Sequence, residues 1–362
     1  MDSVKLPFYV RASIVFIGLF AFIAMLYFAQ HIIVPVIYAT IIAIVLNPLV
    51  DLLTRRGVNR VVAISISLVV MGLVAILFFG LIATQVVVFR DSFPKLWDKM
   101  SELLSTSIDW AAHHFNVSAD RINDWFKEAK VGMIAAGKAE IGTSIATLGS
   151  AMVVIVLIPV YVFMTLFYQP LLLEFIHKLF PQEYQTEVNE VLVSVRRIIQ
   201  RYLLALLIEA AIIAVLNSAG LLLIGIDYAI ALGVIGALLN VIPYIGGIIA
   251  IALPIMVAIV TKSSITYPLL VIAVYSLIQF IDNHYIIPKI VASRVRLNAL
   301  VSIIAVLTGG ALWGLPGMFL SIPLTAILKI IFDHITPLKP LGFLLGDTMP
   351  PITLMKFKKN EK

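Results

Sequence analysis

One acidic residue lies deep inside an apolar stretch and is the first candidate for chemistry. Glu209 is the only acid well within the predicted helix 202–224. A charge near the centre of a membrane costs at least about 2.5–3.5 kcal/mol, so such a residue usually faces a bundle interior or water, or is protonated. Two interpretations stay open: Glu209 binds a coupled proton or cation, or it pairs with Arg201 or another arginine and holds helices together.

A second polar group lies near the end of another apolar segment, the predicted helix 266–287. Asp282, Asn283 and His284 come just before a proline, and Gln279 lies one turn before Asn283 on the same face. Carboxylate and amide oxygens beside a helix end suit a hard cation such as Na⁺ or a polar solute. The alternative is a solvated helix end, with His284 near its negative pole. The placement of Gln279 favours a binding role.

Two stretches rich in glycine and proline interrupt the later apolar runs. The first holds Asn240, Pro243, Tyr244, Gly246 and Gly247, and the second holds Gly309, Gly310, Trp313, Gly314, Pro316 and Gly317. Proline removes a backbone donor and glycine weakens a helix, so both stretches are expected to unwind. The backbone at a glycine can approach a solute closely, and the alternative is helix packing alone. Two such stretches at matching places favour a transport site.

Sequence signatures of common enzymes are absent. The chain has no cysteine, no GxxxxGK[ST] phosphate loop, no HExxH zinc motif and no GxSxG nucleophile elbow. Its six histidines lack ligand spacing, since only His113 and His114 are adjacent and neighbours on a helix point about 100° apart. We therefore expect no enzyme activity, no metal and no cofactor.

The composition places these residues in a membrane. Apolar residues make up 61% of the 362 residues and charged residues 13%, against about 25% charged in soluble domains. Five runs contain no Asp, Glu, Lys or Arg: 12–50, 61–89, 141–173, 228–261 and 297–328. Each is longer than the roughly 20 residues that a helix needs to cross a bilayer. The chain is predicted to be an all-α polytopic membrane protein surrounded by lipid.

Charge divides the chain further. The net charge of +6 does not indicate nucleic-acid binding, because the basic residues lie between apolar runs, as in the inner loops of membrane proteins. Residues 90–140 hold 15 charges with apolar residues at helical spacing, which predicts amphipathic helices outside the membrane.

The apolar runs and the charged segments together divide the chain into five parts. We expect N-terminal membrane helices over 1–89, the amphipathic segment over 90–148, a membrane helix and a cytoplasmic amphipathic segment over 149–201, a transport core over 202–335 and a cytoplasmic tail over 336–362. The second helix, over 32–53, is expected to be interrupted at Pro35 and Pro48.

The two broken stretches are either discontinuous helices or re-entrant hairpins, since unwound backbone cannot face lipid. Hairpins would place 18 of the 26 Lys and Arg residues on the inner side, whereas simple crossings would put Lys289, Arg294 and Arg296 outside. The count favours hairpins with both termini cytoplasmic. Residues 202–260 and 266–332 then form the same helix-plus-hairpin pair in opposite orientations, as in many secondary transporters.

Three stretches resemble the signature of the autoinducer-2 exporter family of bacterial membrane proteins. They are NVIPYIGG from Asn240 to Gly247, the Asp282-Asn283 pair, and GGALWGLPGMFLSIPLTAILK from Gly309 to Lys329. The resemblance implies a bacterial inner-membrane protein with about eight membrane segments, acting as a secondary transporter without a cofactor. It also implies a homo-oligomer, expected to be a pentamer, and elevator-like movement of the half that carries the hairpins.

The family also sets the leading hypothesis and its limits. Its members are associated with autoinducer-2 export or with exchange of Na⁺ or Li⁺ for protons. Many carry His-Pro where this chain has Asn298-Ala299, so proton-driven exchange does not carry over directly. We expect an exporter of a small polar solute, with Glu209 and Asp282 as coupling candidates for H⁺ or Na⁺. The alternatives are a Na⁺(Li⁺)/H⁺ antiporter, an oligomeric channel and a scaffold.

Overall fold

The computed structural model describes residues 7–115, 144–242, 246–262, 264–292 and 297–348. In these ranges the ordered elements are helices, and the only β-type contact is an isolated bridge between Leu297 and Gly346. The prediction of an all-α protein is confirmed. Some predicted features lie outside the described residues: Pro243, Tyr244, Arg294, Arg296, most of the amphipathic segment (116–143) and the last part of the tail (349–362).

Eleven α-helices are found in the described part of the chain. They are α1 (Phe8–Phe28), α2 (Gln30–Arg55), α3 (Arg60–Phe115), α4 (Ser144–Phe167), α5 (Gln169–Leu179), α6 (Gln185–Ile224), α7 (Ala229–Asn240), α8 (Gly246–Thr261), α9 (Thr266–Ile281), α10 (Ala299–His334) and α11 (Lys339–Leu345). A π-helix (Asp282–Ala292) continues α9, and short 3₁₀ turns precede α6 and α11.

Six helices among the described residues are long and apolar enough to cross a membrane. They lie in α1, α2, the first part of α3, α6, α9 with the π-helix, and α10, although α10 consists of two helical parts between which the chain reverses, as described below. A seventh is obtained if α4 and α5, which are bent by 62° at their junction, count as one span. The two short apolar helices α7 and α8 supply one further segment, in agreement with the prediction of about eight.

Proline does not interrupt α2, contrary to the prediction. Pro35 and Pro48 both lie inside one continuous helix. Membrane helices tolerate proline because neighbouring helices and side chains satisfy the backbone groups that it frees. In this protein α2 packs against α4 and α6, and Gln200 of α6 donates a hydrogen bond at 2.6 Å to the carbonyl of Ile44, the group that would otherwise accept from the amide that Pro48 lacks.

Two helices are longer than the predicted segments. α3 has 56 residues and passes through position 89 without a break, so the amphipathic segment begins as a continuation of a membrane helix. α6 has 40 residues and joins the last part of the predicted cytoplasmic segment to the predicted crossing 202–224. No proline or glycine occurs in α6 before Gly220, so nothing in the backbone stops the helix until Gly225 ends it in a left-handed conformation (φ 78°).

The first broken stretch folds into a helical hairpin, which we call hairpin 1 (α7 and α8). A Cβ atom placed on Gly236 of α7 would lie 3.6 Å from Ala250 Cβ of α8. These residues are 14 positions apart in sequence, which is about 21 Å along a straight helix. Gly246 lies directly against the backbone of Leu239 and Asn240, so its lack of a side chain lets the two helices meet at the turn.

The second broken stretch also folds back, and we call it hairpin 2 (α10). The chain reverses at Trp313 (φ −134°, ψ 15°) and Gly314 (φ 62°, ψ −144°), a conformation that favours glycine. The backbones of Gly309 and Gly317 then touch, although a straight helix would hold them about 12 Å apart. Both broken stretches are therefore hairpins rather than straight discontinuous helices.

α6 is the central helix of the later half of the chain. It packs along α7 and α9, and it also contacts α2 and hairpin 2. Val241 at the end of α7 packs into a cluster that joins Tyr202 of α6 to Val306 and Ile322 of hairpin 2. The two hairpins therefore meet beside α6, and many apolar side chains on the outer helices remain exposed, as a lipid environment requires.

Candidate functional site

Asp282 is a carboxylate in the interior of the protein. Its side chain is 0% exposed and lies where α9 passes into the π-helix. Its Oδ2 atom accepts a hydrogen bond from Asn240 Nδ2 at 3.0 Å. Its Oδ1 atom is buried and has no hydrogen-bond partner among the described protein groups. Half of the carboxylate is thus left available to a ligand.

Glu209 is the second buried acid of this region. It lies on α6, which packs against the π-helix that begins at Asp282, and it is 6% exposed. Negative charges on the two acids would repel each other. In the described part of the chain no lysine or arginine forms an ion pair with either acid. The predicted alternative, a pair between Glu209 and Arg201, is not found, and Arg201 is exposed. A buried charge without a partner is costly, so a bound cation or proton would stabilise the pair.

Two amide groups complete the site above the backbone of hairpin 1. A Cβ atom placed on Gly247 would lie 3.1 Å from Gln279 Oε1 and 3.3 Å from Asn240 Oδ1. The two oxygens therefore converge on Gly247, and a larger residue there would crowd them. We call Glu209, Asn240, Gly247, Gln279 and Asp282 the Asp282 cluster.

The cluster draws its residues from α6, from both helices of hairpin 1, and from the junction of α9 with the π-helix. Its side chains offer carboxylate and amide oxygens, the ligands that hard cations prefer. Where the chain is described, no group of three or more His, Cys, Asp or Glu side chains could hold a metal ion. The arrangement is chemically suited to receive a proton or a monovalent cation.

The structure does not bring Asn283 and His284 into this cluster. Both are exposed, and His284 stacks on Phe280 with ring centroids 4.2 Å apart. Neighbouring residues of a helix point roughly 100° apart, so the burial of Asp282 is compatible with the exposure of Asn283 beside it. A binding role for Asn283 stays a prediction.

The predicted residues of the second stretch make packing contacts. Gly309 and Gly317 lie backbone to backbone, and Gly310 lies against Met318. Trp313 Nε1 donates to the carbonyl of Leu26 in α1 at 3.0 Å. Pro316 presents its carbonyl to α2, where the Tyr38 hydroxyl donates to it at 3.1 Å. These residues and Gly314 therefore build hairpin 2 and attach it to the first two helices.

Asn298 occupies the position at which many family members are expected to carry histidine. Its Oδ1 atom caps α10 by accepting from the Val301 amide at 2.8 Å. Its Nδ2 atom donates to the carbonyls of Leu344 at 2.7 Å and Gly346 at 3.1 Å. The side chain therefore joins the start of hairpin 2 to the C-terminal end of α11.

Two buried polar residues close to the cluster were not among the predicted site residues. They are Asn217 on α6 and Tyr275 on α9. Asn217 follows Glu209 by eight residues, and Tyr275 precedes Asp282 by seven. This spacing of two helical turns inside apolar runs was the signal that could have identified them.

Comparison with known proteins decides the family. The family model described as AI-2E family transporter matches residues 16–336. The chain belongs to the AI-2E transporter family. The match includes both hairpins and every residue of the Asp282 cluster, and it confirms the resemblance seen in the sequence.

The sequences of individual relatives are similar to this chain over most of their length. YhhT of Escherichia coli (strain K12), provisionally named a transport protein, is 27% identical over 334 residues, which cover 92% of this chain and 93% of YhhT. The AI-2 transport protein TqsA of the same strain is 28% identical over 338 residues, which cover 88% of this chain and 91% of TqsA. YueF of Bacillus subtilis (strain 168), also provisionally named a transport protein, is 24% identical over 336 residues, covering 91% and 89%. The chain is a multi-pass membrane protein of a transporter family.

Proposed function

We propose that this AI-2E family protein is a secondary transporter that exports a small polar solute and couples its movement to a proton or Na⁺ at the Asp282 cluster. The proposal rests on the environment of the buried carboxylate of Asp282. Asp282 is completely buried, one of its oxygens has no partner among the described groups, and a second acid, Glu209, interacts with it electrostatically while no lysine or arginine of the described residues pairs with either. Ionisable residues placed in this way inside membrane segments typically mark ion pathways.

The cluster can couple ion binding to conformation because it joins separate elements. Asn240 and Gly247 belong to hairpin 1, whereas Gln279 and Asp282 belong to α9 and its continuation. A cation held by oxygens from both would favour the arrangement in which they converge. A ligand shifts an equilibrium by its difference in affinity between the two states. Release of the ion would therefore favour an arrangement in which hairpin 1 and α9 are apart.

Autoinducer-2 is the solute to test first. The relative TqsA is named as an AI-2 transport protein, and this chain resembles it over nearly its whole length. The polar lining of the Asp282 cluster supports a solute rich in hydrogen-bonding groups. We propose an autoinducer-2-like solute for this chain.

Purified protein in liposomes provides the test. We expect autoinducer-2 efflux that is accelerated by an inward gradient of Na⁺ or protons. Asp282→Asn should abolish the acceleration, because the amide keeps the shape of the side chain but cannot carry the compensating charge. Asp227→Asn is the matched control, since Asp227 is 49% exposed and pairs with Lys262 at 3.5 Å, outside the cluster. Equal gradient dependence in wild type and Asp282→Asn, both intact, would contradict the proposal.

The nearness of the two acids favours a second candidate, a Na⁺(Li⁺)/H⁺ antiporter. Two carboxylates that repel each other gain from either a proton or a metal cation, so the two ions would compete for one place. Liposomes that contain a pH-sensitive dye distinguish the candidates. An antiporter dissipates the pH gradient on addition of Na⁺ or Li⁺ without any solute, whereas an obligatory solute exporter requires autoinducer-2.

The cellular setting is part of the same proposal. We place the protein in the bacterial inner membrane, with both termini cytoplasmic and hairpins 1 and 2 re-entrant. The basic residues around the apolar runs support this orientation. We also propose a homo-oligomer, with five copies expected from the family resemblance. Native mass spectrometry of the detergent-solubilised protein should give the mass of five chains, and a monomer would contradict this part.

A further inference from the structure

A second group of buried polar atoms lies in the same half of the protein. Asn217 is 3% exposed and its Oδ1 atom has no hydrogen-bond partner among the described groups. Tyr275 is 6% exposed and its hydroxyl likewise has no partner there. A buried polar atom without a partner costs about 1–3 kcal/mol, so two such atoms together require an explanation.

Both side chains point to one place on hairpin 1. A Cβ atom placed on Gly236 would lie 3.3 Å from Asn217 Nδ2, 3.3 Å from the Tyr275 hydroxyl and 3.6 Å from Ala250 Cβ. The amide and the hydroxyl therefore face the same part of hairpin 1, at Gly236, where no side chain separates them from the backbone. We call Asn217, Gly236, Ala250 and Tyr275 the Gly236 site.

The Gly236 site is separate from the Asp282 cluster. Asn217 lies eight residues beyond Glu209 on α6, about 12 Å along the helix. Tyr275 lies seven residues before Asp282 on α9, about 10 Å along that helix. The buried apolar residues Ile213, Ala237 and Ile278 form a cluster in the interval. One apolar layer thus divides two polar groups on the same face of α6 and α9.

The chemistry of the two sites differs. The Gly236 site contains no carboxylate, so it lacks the charge that a desolvated cation requires. An amide oxygen accepts hydrogen bonds, an amide nitrogen donates them, and a tyrosine hydroxyl does both. This combination matches a neutral hydroxyl group, which also donates and accepts.

We propose that the Gly236 site binds a hydroxyl group, supplied by the transported solute or by water, at a second position on the transport path. The proposal rests on the proposed function of the chain as a transporter and assigns separate tasks to the two sites. The Asp282 cluster binds the coupling ion, whereas the Gly236 site recognises the neutral part of the solute.

Solute affinity provides the first test. Tyr275→Phe and Asn217→Leu each remove one hydrogen-bonding group while keeping most of the side-chain volume. Each should raise the KM for autoinducer-2 efflux in liposomes by about 3- to 10-fold, the loss expected for one hydrogen bond, and leave the dependence on Na⁺ or proton gradients unchanged. If the two groups were merely unsatisfied, apolar replacements would leave the KM unchanged, which would overturn solute binding here.

Cysteine accessibility provides a second test that does not require transport. The chain has no native cysteine, so Ala250→Cys carries the only thiol, next to Gly236. The matched control is Ala258→Cys, because Ala258 lies two turns further along α8 and is 0% exposed. A small methanethiosulfonate reagent should label Ala250→Cys faster than Ala258→Cys, since water must reach a thiol for it to react.

The outcomes separate the sources of the hydroxyl group. Protection of Ala250→Cys by autoinducer-2 would identify the solute as the source. Labelling without protection would identify water. Equal labelling of the two variants, or none of either, would overturn the Gly236 site. Absence of autoinducer-2 flux in the wild type would instead count against the proposed solute and leave the labelling result valid.

Discussion

Replacement of Gly317 by alanine tests directly whether the second broken stretch folds back on itself. In the structure a Cβ atom at this position would overlap the carbonyl group of Gly309 and lie 2.9 Å from Trp313 Cβ. The carbonyl is main chain and cannot rotate away as the end of a long side chain could. Hairpin 2 must therefore open slightly to accept even one methyl group.

The sign of the change in unfolding free energy distinguishes a hairpin from a straight helix. Overpacking of a tight interior contact typically costs about 1–3 kcal/mol. In a straight helix Gly309 would lie about 12 Å away, and alanine would instead stabilise the helix by about 1 kcal/mol relative to glycine. The two architectures thus differ by about 2–4 kcal/mol in their predicted effect on the free energy of unfolding.

The assay is equilibrium unfolding of purified protein in mixed detergent micelles, followed by circular dichroism. Gly72→Ala on α3 is the matched control, because no atom lies within 4 Å of the place where its Cβ would be. We expect Gly317→Ala to lower the unfolding free energy and Gly72→Ala to leave it unchanged or raise it. Gly309→Ala should act like Gly317→Ala, and the double variant should cost less than the sum because both changes disturb one contact. A Gly317→Ala protein as stable as wild type would refute the hairpin.

Two further predictions concern the start of hairpin 2 and the two ends of α9 with its π-helical continuation. Asn298→Ala should lower the unfolding free energy by about 1–2 kcal/mol through loss of the helix cap and of the bonds to the C-terminal end of α11, and the folded fraction should keep its transport rate; an unchanged stability would show that these bonds contribute nothing. Lys262→Cys and Lys289→Cys, near opposite ends of α9 and the π-helix, should react with a membrane-impermeant maleimide from opposite faces of the membrane. Labelling from one face would exclude α9 as a crossing helix.

The amino-acid composition and the positions of glycine and proline predicted much of the fold. Long charge-free runs identified the membrane helices, and glycine and proline located both breaks. The length of α6 was not predicted, because the charged residues between 185 and 202 resemble a surface segment although no proline or glycine there stops a helix. The opposite error occurred in α2, where Pro35 and Pro48 were expected to interrupt the helix. The helix is continuous because contacts with neighbouring helices compensate for the backbone hydrogen bonds that the prolines remove. Local signals thus indicate where a helix can end, and tertiary contacts decide whether it does.

The candidate site was predicted less completely, for reasons of geometry. Glu209 and Asp282 could each be identified from their apolar surroundings, but their approach depends on how α6 and α9 pair. Glycines near the site also look alike in sequence. Gly247 lies beneath two amide oxygens, whereas Gly309 and Gly317 join two helices, and only the fold separates these roles.

The pairing of α6 with α9 explains why the polar residues occur in separate layers. Glu209 lies near Asp282, Ile213 packs with Ile278, and Asn217 and Tyr275 face Gly236. Residue numbers rise on α6 as they fall on α9, so the two helices run antiparallel and bring polar residues two turns apart into two matched layers.

Hairpin 1 covers both polar layers with small residues. Gly247 lies beside the oxygens of the Asp282 cluster, and Gly236 lies beside the amide and hydroxyl of the second layer. Ala237 packs into the apolar layer between them. Because hairpin 1 contributes to all three layers, its displacement from α6 and α9 as one unit would expose both polar layers in a single movement. Ion release at one layer and hydroxyl release at the other would then be coupled without any direct contact between the two ligands.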